Sequence, residues 1–256
     1  MIVHLLGTGA AVSDPHRTTT MLAVEAADRL VLVDCGGDAI QRMLASGLSP
    51  LGLDAVVLTH QHPDHISGFG LLVEKLWLLG REEAIPVYGP ADALRVARQT
   101  FALYDTGKWK DLPAIDWHPI EMEPSSHVLT LSDLTITSWP VVHPVPTIGL
   151  RFVMPDAVLG YSCDTSPTPS VLDLARDADL LVHEATGHLP GVHSSAEEAA
   201  QAARSAGARD LVLVHLPPDT ADDDLADARA IFKPTRWSVE GERLTVRSVA
   251  RGVATR

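Results

Sequence analysis

Apolar residues along this chain fall in short blocks separated by Gly, Pro, Asp and Arg. Continuous or alternating apolar stretches predict strands over residues 2–6, 20–26, 30–34, 53–59 and 85–88. In the second half the same pattern predicts strands over 115–120, 134–142, 148–153, 158–162, 180–183, 211–214 and 244–249. Helical spacing marks 39–45, stopped near Gly47 and Pro50, then 66–79, with Leu72, Leu76 and Leu79 on one side, and then 91–104. Further helices are expected over 170–176, 195–205 and 222–230, the last started by the acidic run Asp222-Asp223-Asp224, which suits a helix dipole. Many strands come in hairpin-like order with helices interspersed. This predicts a mixed α/β fold in which two mixed sheets pack face to face with helices outside, a four-layer αββα sandwich. No solenoid-period repeat, low-complexity segment or Pro/Gly/Ser linker interrupts the chain, so residues 1–256 are expected to form one domain.

Composition narrows the function classes. The chain is 46% hydrophobic, enough for a substantial core, yet no apolar run approaches the ~20 residues needed to span a bilayer. The opening segment lacks the basic flank of a signal peptide. The two cysteines, Cys35 and Cys163, make no disulfide framework. The expectation is a cytoplasmic protein without membrane contact. A net charge of −13, with only four lysines, weighs against extended binding to nucleic acid, which rests on neutralising phosphates.

The chemistry is concentrated in Thr59-His60-Gln61-His62-Pro63-Asp64-His65, directly after an apolar strand. Three imidazoles and a carboxylate at one strand end are hard to satisfy without a cation. Neutral imidazole and carboxylate are the usual non-thiolate ligands of zinc and similar divalent ions. In an extended segment His60 and His62 point to one side, and Asp64-His65 can serve a second ion. The missing ligands must come from later in the chain. His143, Asp164 and His215 each follow an apolar strand, where loops gather into a site on a rigid scaffold.

The pattern His60-x-His62-x-Asp64-His65, His143, Asp164, His215 resembles the five-motif signature of the metallo-β-lactamase-fold hydrolases, over nearly the whole chain. Within that superfamily the chain is most similar to the ribonuclease Z-like phosphodiesterase branch, through Leu6-Gly7-Thr8-Gly9-Ala10-Ala11, Val33-Asp34-Cys35-Gly36, Tyr161-Ser162-Cys163-Asp164-Thr165, His183-Glu184-Ala185-Thr186, His193-Ser194-Ser195 and Leu213-Val214-His215. The resemblance implies two divalent ions, zinc first, with manganese or iron as substitutes. His60, His62 and His143 would hold one, Asp64, His65 and His215 the other, and Asp164 both. It also implies a catalytic set of Asp64, His193 as the acid that protonates the leaving oxygen, and Glu184 as its orienting partner. Two such ions can clamp a phosphoryl group and provide a bound hydroxide near neutral pH. His193 also stands where it would simply precede a helix capped by Ser194 or Ser195, and Glu184 where it would only accept backbone hydrogen bonds. Asp34 is expected to brace the metal loop rather than to bind metal.

Three departures bear on the substrate. The tRNA-processing enzymes carry a long arm between the third and fourth motifs, whereas here only residues 144–163, one hairpin, separate His143 from Asp164. The segment after the last histidine is Leu216-Pro217-Pro218-Asp219, apolar then acidic, where the family often has a basic and aromatic pair. The overall charge is negative, and Cys163 replaces the usual glycine. These features lead to the expectation of a phosphodiesterase acting on a small or cyclic nucleotide-like diester. The alternatives are an armless tRNA 3′ endonuclease, with RNA as partner, or a thioester or lactone hydrolase. The resemblance also suggests a homodimer. The loop Asp105–Asp111, with Lys108-Trp109-Lys110, reads either as a lid over the substrate or as an ordinary exposed loop.

Overall fold

The computed structural model describes residues 1–12 and 14–248. Among the described residues, fourteen strands form two seven-stranded sheets. The first runs β14-β1-β2-β3-β4-β5-β6, comprising β1 (Ile2–Gly7), β2 (Met21–Ala26), β3 (Arg29–Val33), β4 (Ala55–Val57), β5 (Ile85–Gly89), β6 (Ile115–Pro119) and β14 (Arg243–Thr245). The second runs β13-β12-β11-β10-β9-β8-β7, comprising β7 (Ser126–Leu131), β8 (Leu134–Pro140), β9 (Ile148–Met154), β10 (Ala157–Tyr161), β11 (Leu180–Glu184), β12 (Asp210–Val214) and β13 (Thr235–Trp237). Both sheets follow one plan. Antiparallel pairs lead from β14 to β3 and from β7 to β10, and parallel pairs lead from β3 to β6 and from β10 to β13. The chain thus folds as two copies of one motif, with the late strand β14 supplying the first strand of the earlier copy.

Period-2 alternation sends Val3 and Leu5 of β1 into the space between the sheets and Leu6 toward the helices. Between the sheets, Leu5, Val24, Val31 and Val57 meet Ile136, Leu150, Phe152, Val182 and Val212. Helices α1 (Ala39–Ala45), α3 (Phe69–Leu78) and α4 (Ala91–Phe101) cover the first sheet through Ile40, Met43, Phe69, Leu72 and Leu94. Helices α5 (Pro169–Leu174), α6 (Ala196–Ala206) and α7 (Asp222–Ile231) cover the second, where Ala199, Ala200 and Ala203 let α6 lie close. The order of layers is αββα. Among the described residues no helix is long and apolar enough to cross a membrane.

The structure differs from the sequence expectations in four places. The strand expected over 53–59 contracts to β4, because the polar Thr59-His60 leaves the ladder. The helix expected over 66–79 is observed as α3, divided from a short preceding α2 (Pro63–Ile66). The division falls at Gly68, where an added Cβ would lie 2.0 Å from the Gly37 carbonyl oxygen, so a bare backbone is required. Strands β7 and β13 lack a clear sequence signal. Both are edge strands; β7 is half exposed and β13 has three residues, held by parallel pairing to β12. The last expected strand is present as Arg243–Thr245, and its expected end at Val249 lies outside the described residues.

Candidate metal centre

The predicted site residues gather at strand ends and the loops after them on one rim of the sandwich. Asp34 follows β3, His60 and His62 follow β4, His143 follows β8, Cys163 and Asp164 follow β10, Glu184 ends β11 and His215 follows β12. At three of these ends the chain turns through the left-handed region, with φ of 61° at Asp34, 55° at Cys163 and 55° at His215. Such a conformation costs a side-chain-bearing residue about 1–2 kcal/mol and is held by its surroundings. It explains why glycine is the easy choice at position 163. The loop after β4 lies flat on the loop after β3, since a Cβ on Gly36 would be 1.6 Å from the Asp64 carbonyl oxygen.

The structure brings the seven predicted ligands into two adjoining groups. Ligand atoms of His60, His62 and His143 form one, those of Asp64, His65, Asp164 and His215 the other, and within each group all lie within 4.8 Å of one another. His62 Nδ1 is 3.1 Å from both His60 Nε2 and His143 Nε2. Asp64 Oδ2 and Asp164 Oδ2 each lie 3.3 Å from His215 Nε2 and 3.5 Å from His65 Nε2.

Hydrogen bonds on the outer nitrogens fix which lone pairs face inward. His65 Nδ1 bonds to Asp34 Oδ2 at 2.8 Å, and that carboxylate also accepts from the Thr59 N–H and hydroxyl, at 2.8 and 2.7 Å. Asp34 is the brace expected from the sequence. His143 Nδ1 bonds to the Val192 carbonyl at 2.9 Å. His215 Nδ1 bonds to the Thr186 hydroxyl at 2.7 Å, which itself donates to the His215 carbonyl. His60 Nδ1 faces Thr59 Oγ1 at 3.2 Å and Cys163 Sγ at 3.6 Å. Cys163 therefore lies behind the His60 ring, on the side away from Nε2. Thr186 and the Val192 carbonyl are partners that sequence reasoning missed. A lone threonine and a backbone carbonyl carry no pattern, and both meet their histidines only through the fold.

With the outer nitrogens committed as donors, His60 Nε2, His65 Nε2, His143 Nε2 and His215 Nε2 are left as bare acceptors. Acceptors converging on acceptors repel unless a cation lies between them. The buried His65 Nε2 and Asp164 Oδ1 have no hydrogen-bond partner. These residues fit divalent cations in both groups. Protonation is consistent with ligation in the first group: burial lowers the pKa of His60, His62 and His143, well below the usual value for His60, leaving them neutral. In the second group burial opposes charge, but Asp164 and Asp34 raise the His65 pKa well above the usual value and the His215 and His65 imidazoles hold Asp164 far below the usual carboxylate range, so positive charge, a proton or a metal ion, is favoured between them.

His193 adjoins both groups, its ring centre 5.3 Å from that of His143 and 5.5 Å from that of His215. Its Nδ1 is 3.0 Å from Glu184 Oε1. Glu184 is fully buried and also accepts from the Thr165, Ser194 and Thr186 N–H groups, at 3.0, 3.0 and 2.9 Å. Two residues on, Ser195 and Glu198 form the expected capping box at the start of α6. Burial pulls the His193 pKa down, but the bond to Glu184 and its charge, with Asp164 and Asp64 behind, raise it overall. The Lys108-Trp109-Lys110 loop packs on the end of α3. Trp109 stacks on Trp77 with ring centres 4.7 Å apart, and the Trp77 indole donates to the Lys110 carbonyl. Trp77 lies in the last turn of α3, about 12 Å along the axis from its first residue.

A family described as the beta-lactamase superfamily domain matches residues 29–216. Ribonuclease Z of Methanothermobacter thermautotrophicus is 30% identical over 84% of this chain and 86% of its own length. The chain belongs to the metallo-β-lactamase superfamily, in its ribonuclease Z-like branch. Ribonuclease Z of a Mycobacterium species (strain KMS) is 35% identical over 89% of this chain and 88% of its own. Among solved structures, the metallo-β-lactamase-fold protein YhfI of Bacillus subtilis superposes with a TM-score of 0.80 at 27% identity, covering 95% of this chain and 98% of that one. Human tRNase Z, short form, superposes equally well (0.80) at 20% identity, over 96% and 98%, and shares the fold. This metallo-β-lactamase-fold chain is a metal-dependent hydrolase.

Proposed function

We propose that the protein hydrolyses a small phosphodiester, cyclic or nucleotide-like, with His193 protonating the leaving oxygen. The observation that carries this reading is the Glu184-held His193 beside the seven convergent ligands. A departing alkoxide needs a proton, and an imidazole whose other nitrogen is fixed by a buried carboxylate presents one in a set direction. Two divalent ions, zinc by the nitrogen-rich donor set, would be held by His60, His62 and His143 and by Asp64, His65 and His215, with Asp164 shared; when bound they supply charge to offset the phosphoryl oxygens. Asp34, Thr186 and the Val192 carbonyl keep the ligand rings in register, and Asp64 faces the reacting group from the second set. The protein is read as cytoplasmic and homodimeric.

The β9–β10 hairpin supports a small substrate. It spans the whole interval between His143 and Asp164, with Met154 paired to Ala157 across a tight turn, and leaves no arm to grip a large RNA. The ribonuclease Z relatives favour a second reading, cleavage of precursor tRNA without that arm. One panel separates the readings: the zinc- or manganese-loaded protein is offered a chromogenic diester, 2′,3′- and 3′,5′-cyclic nucleotides, a cyclic ribose phosphate, precursor tRNA, a thioester and a lactone. Turnover of small diesters alone is expected. Cleavage at the tRNA 3′ trailer would establish the second reading, and activity on the acyl esters alone would change the reaction class.

A further inference from the structure

The rim next to His193 is apolar where a phosphodiesterase would be expected to carry cations. Leu189 and His193 form a two-residue ladder, each N–H donating to the other's carbonyl, at 3.2 and 2.9 Å. Val142 immediately precedes His143. Its carbonyl accepts from the Ser166 N–H at 2.9 Å, and the Ser166 hydroxyl accepts from the Gly191 N–H at 3.1 Å, so the two loops are joined through one serine. Leu189 is 51% exposed and Val142 44%. Neither residues 141–147 nor residues 185–194 contain a Lys or Arg. The adjacent His188 is taken by Glu198, with Nδ1 to Oε1 at 2.7 Å.

We propose that Val142 and Leu189 form an apolar subsite for the leaving group, selecting diesters that release a neutral, apolar alcohol or phenol. The inference rests on the reading of His193 as proton donor, because that reading places the departing oxygen on this rim. A leaving group carrying a further phosphate or carboxylate would be desolvated beside Leu189 with no Lys or Arg from either loop to pair with, whereas an uncharged ring or alkyl chain would bury apolar surface on both sides. The rest of the diester would be held by the ligand groups and impose no such selection.

The test compares two methyl aryl phosphodiesters on the zinc-loaded full chain. One releases 4-nitrophenol and the other 3-carboxy-4-nitrophenol, which leave with similar intrinsic ease. The uncharged ester is expected to be favoured about tenfold or more in kcat/KM. Leu189→Lys should bring the ratio to unity or invert it, and Val142→Lys should act in the same direction; both sites are exposed, and thermal melting checks that the variants fold. In the metal-free protein, 4-nitrophenol should shift the methyl NMR signals of Leu189 and Val142, and the carboxylated phenol should not. Equal turnover of the two esters, unmoved by Leu189→Lys, would overturn the subsite and leave the reaction standing. Turnover of neither ester would remove the phosphodiesterase reading and the subsite with it.

Discussion

At the scale of single residues, the centre assigns different work to groups that look alike in the sequence. Asp34, Asp64 and Asp164 are all carboxylates on one rim, yet Asp34 spends both oxygens on Thr59 and His65, while Asp164 keeps Oδ1 buried and unpartnered. Asp164→Asn is therefore expected to reduce the bound metal and to lower kcat/KM by on the order of 10³-fold or more, the scale on which a group acting as part of a unit is felt. Metal analysis and kinetics of the same preparation check this; full activity with two bound ions would sink the assignment. His193→Gln should leave metal content near normal and slow turnover by about 10²–10⁴-fold. The pH dependence follows in sign. The His193 pKa is raised, above all by Glu184 acting against burial, so the acid form persists above the ordinary imidazole value of about 6.5 and activity falls only as pH rises through the higher value. Glu184→Gln removes the charge, and the alkaline limb of the kcat/KM profile should move to lower pH. An unmoved limb would separate Glu184 from the proton donor.

At the scale of elements, three of the five candidate ligand histidines depend on a partner from another part of the chain. His65 leans on the loop after β3, His143 on the loop before α6, and His215 on Thr186 after β11. Thr186→Val keeps the shape and removes the acceptor, leaving the His215 ring free to change tautomer; metal affinity should fall about 10–100-fold in chelator competition, with the melting temperature of the metal-free protein little changed. The same dependence explains what the sequence could and could not disclose. The convergence of the candidate ligands was legible because Thr59–His65 is dense, because strands deliver His143, Asp164 and His215 to one rim, and because their order matches a family signature. The αββα layering was legible because apolar blocks alternate with helical spacing. The partners Thr186 and Val192 were not legible, since 29 residues separate Thr186 from His215 and 49 separate His143 from Val192. Strand β14 reads locally as an ordinary closing strand, and only its pairing with β1, more than two hundred residues away, shows that it completes the first sheet.

At the scale of the whole molecule, charge makes the substrate question measurable without identifying the substrate. The chain carries −13 overall, and no arm extends from the β9–β10 hairpin. A protein that grips RNA by neutralising phosphates loses affinity steeply with salt, by about 10³-fold between 50 and 200 mM for six contacts. An acidic hydrolase drawing a small anionic diester to an internal centre behaves in the opposite sense. Its own field repels the substrate over distances comparable with the Debye length, about 10 Å at 0.1 M, and added salt screens that repulsion. With a small diester, kcat/KM is therefore expected to stay level or to rise, by less than about threefold, between 20 and 200 mM NaCl, at fixed pH and metal. The ligand groups are buried and are screened far less than the surface, so the change should appear in the apparent on-rate and not in kcat. A fall of tenfold or more over the same range would show that a cationic face, hidden in the sum of charges, draws the substrate in, and would move the balance toward RNA.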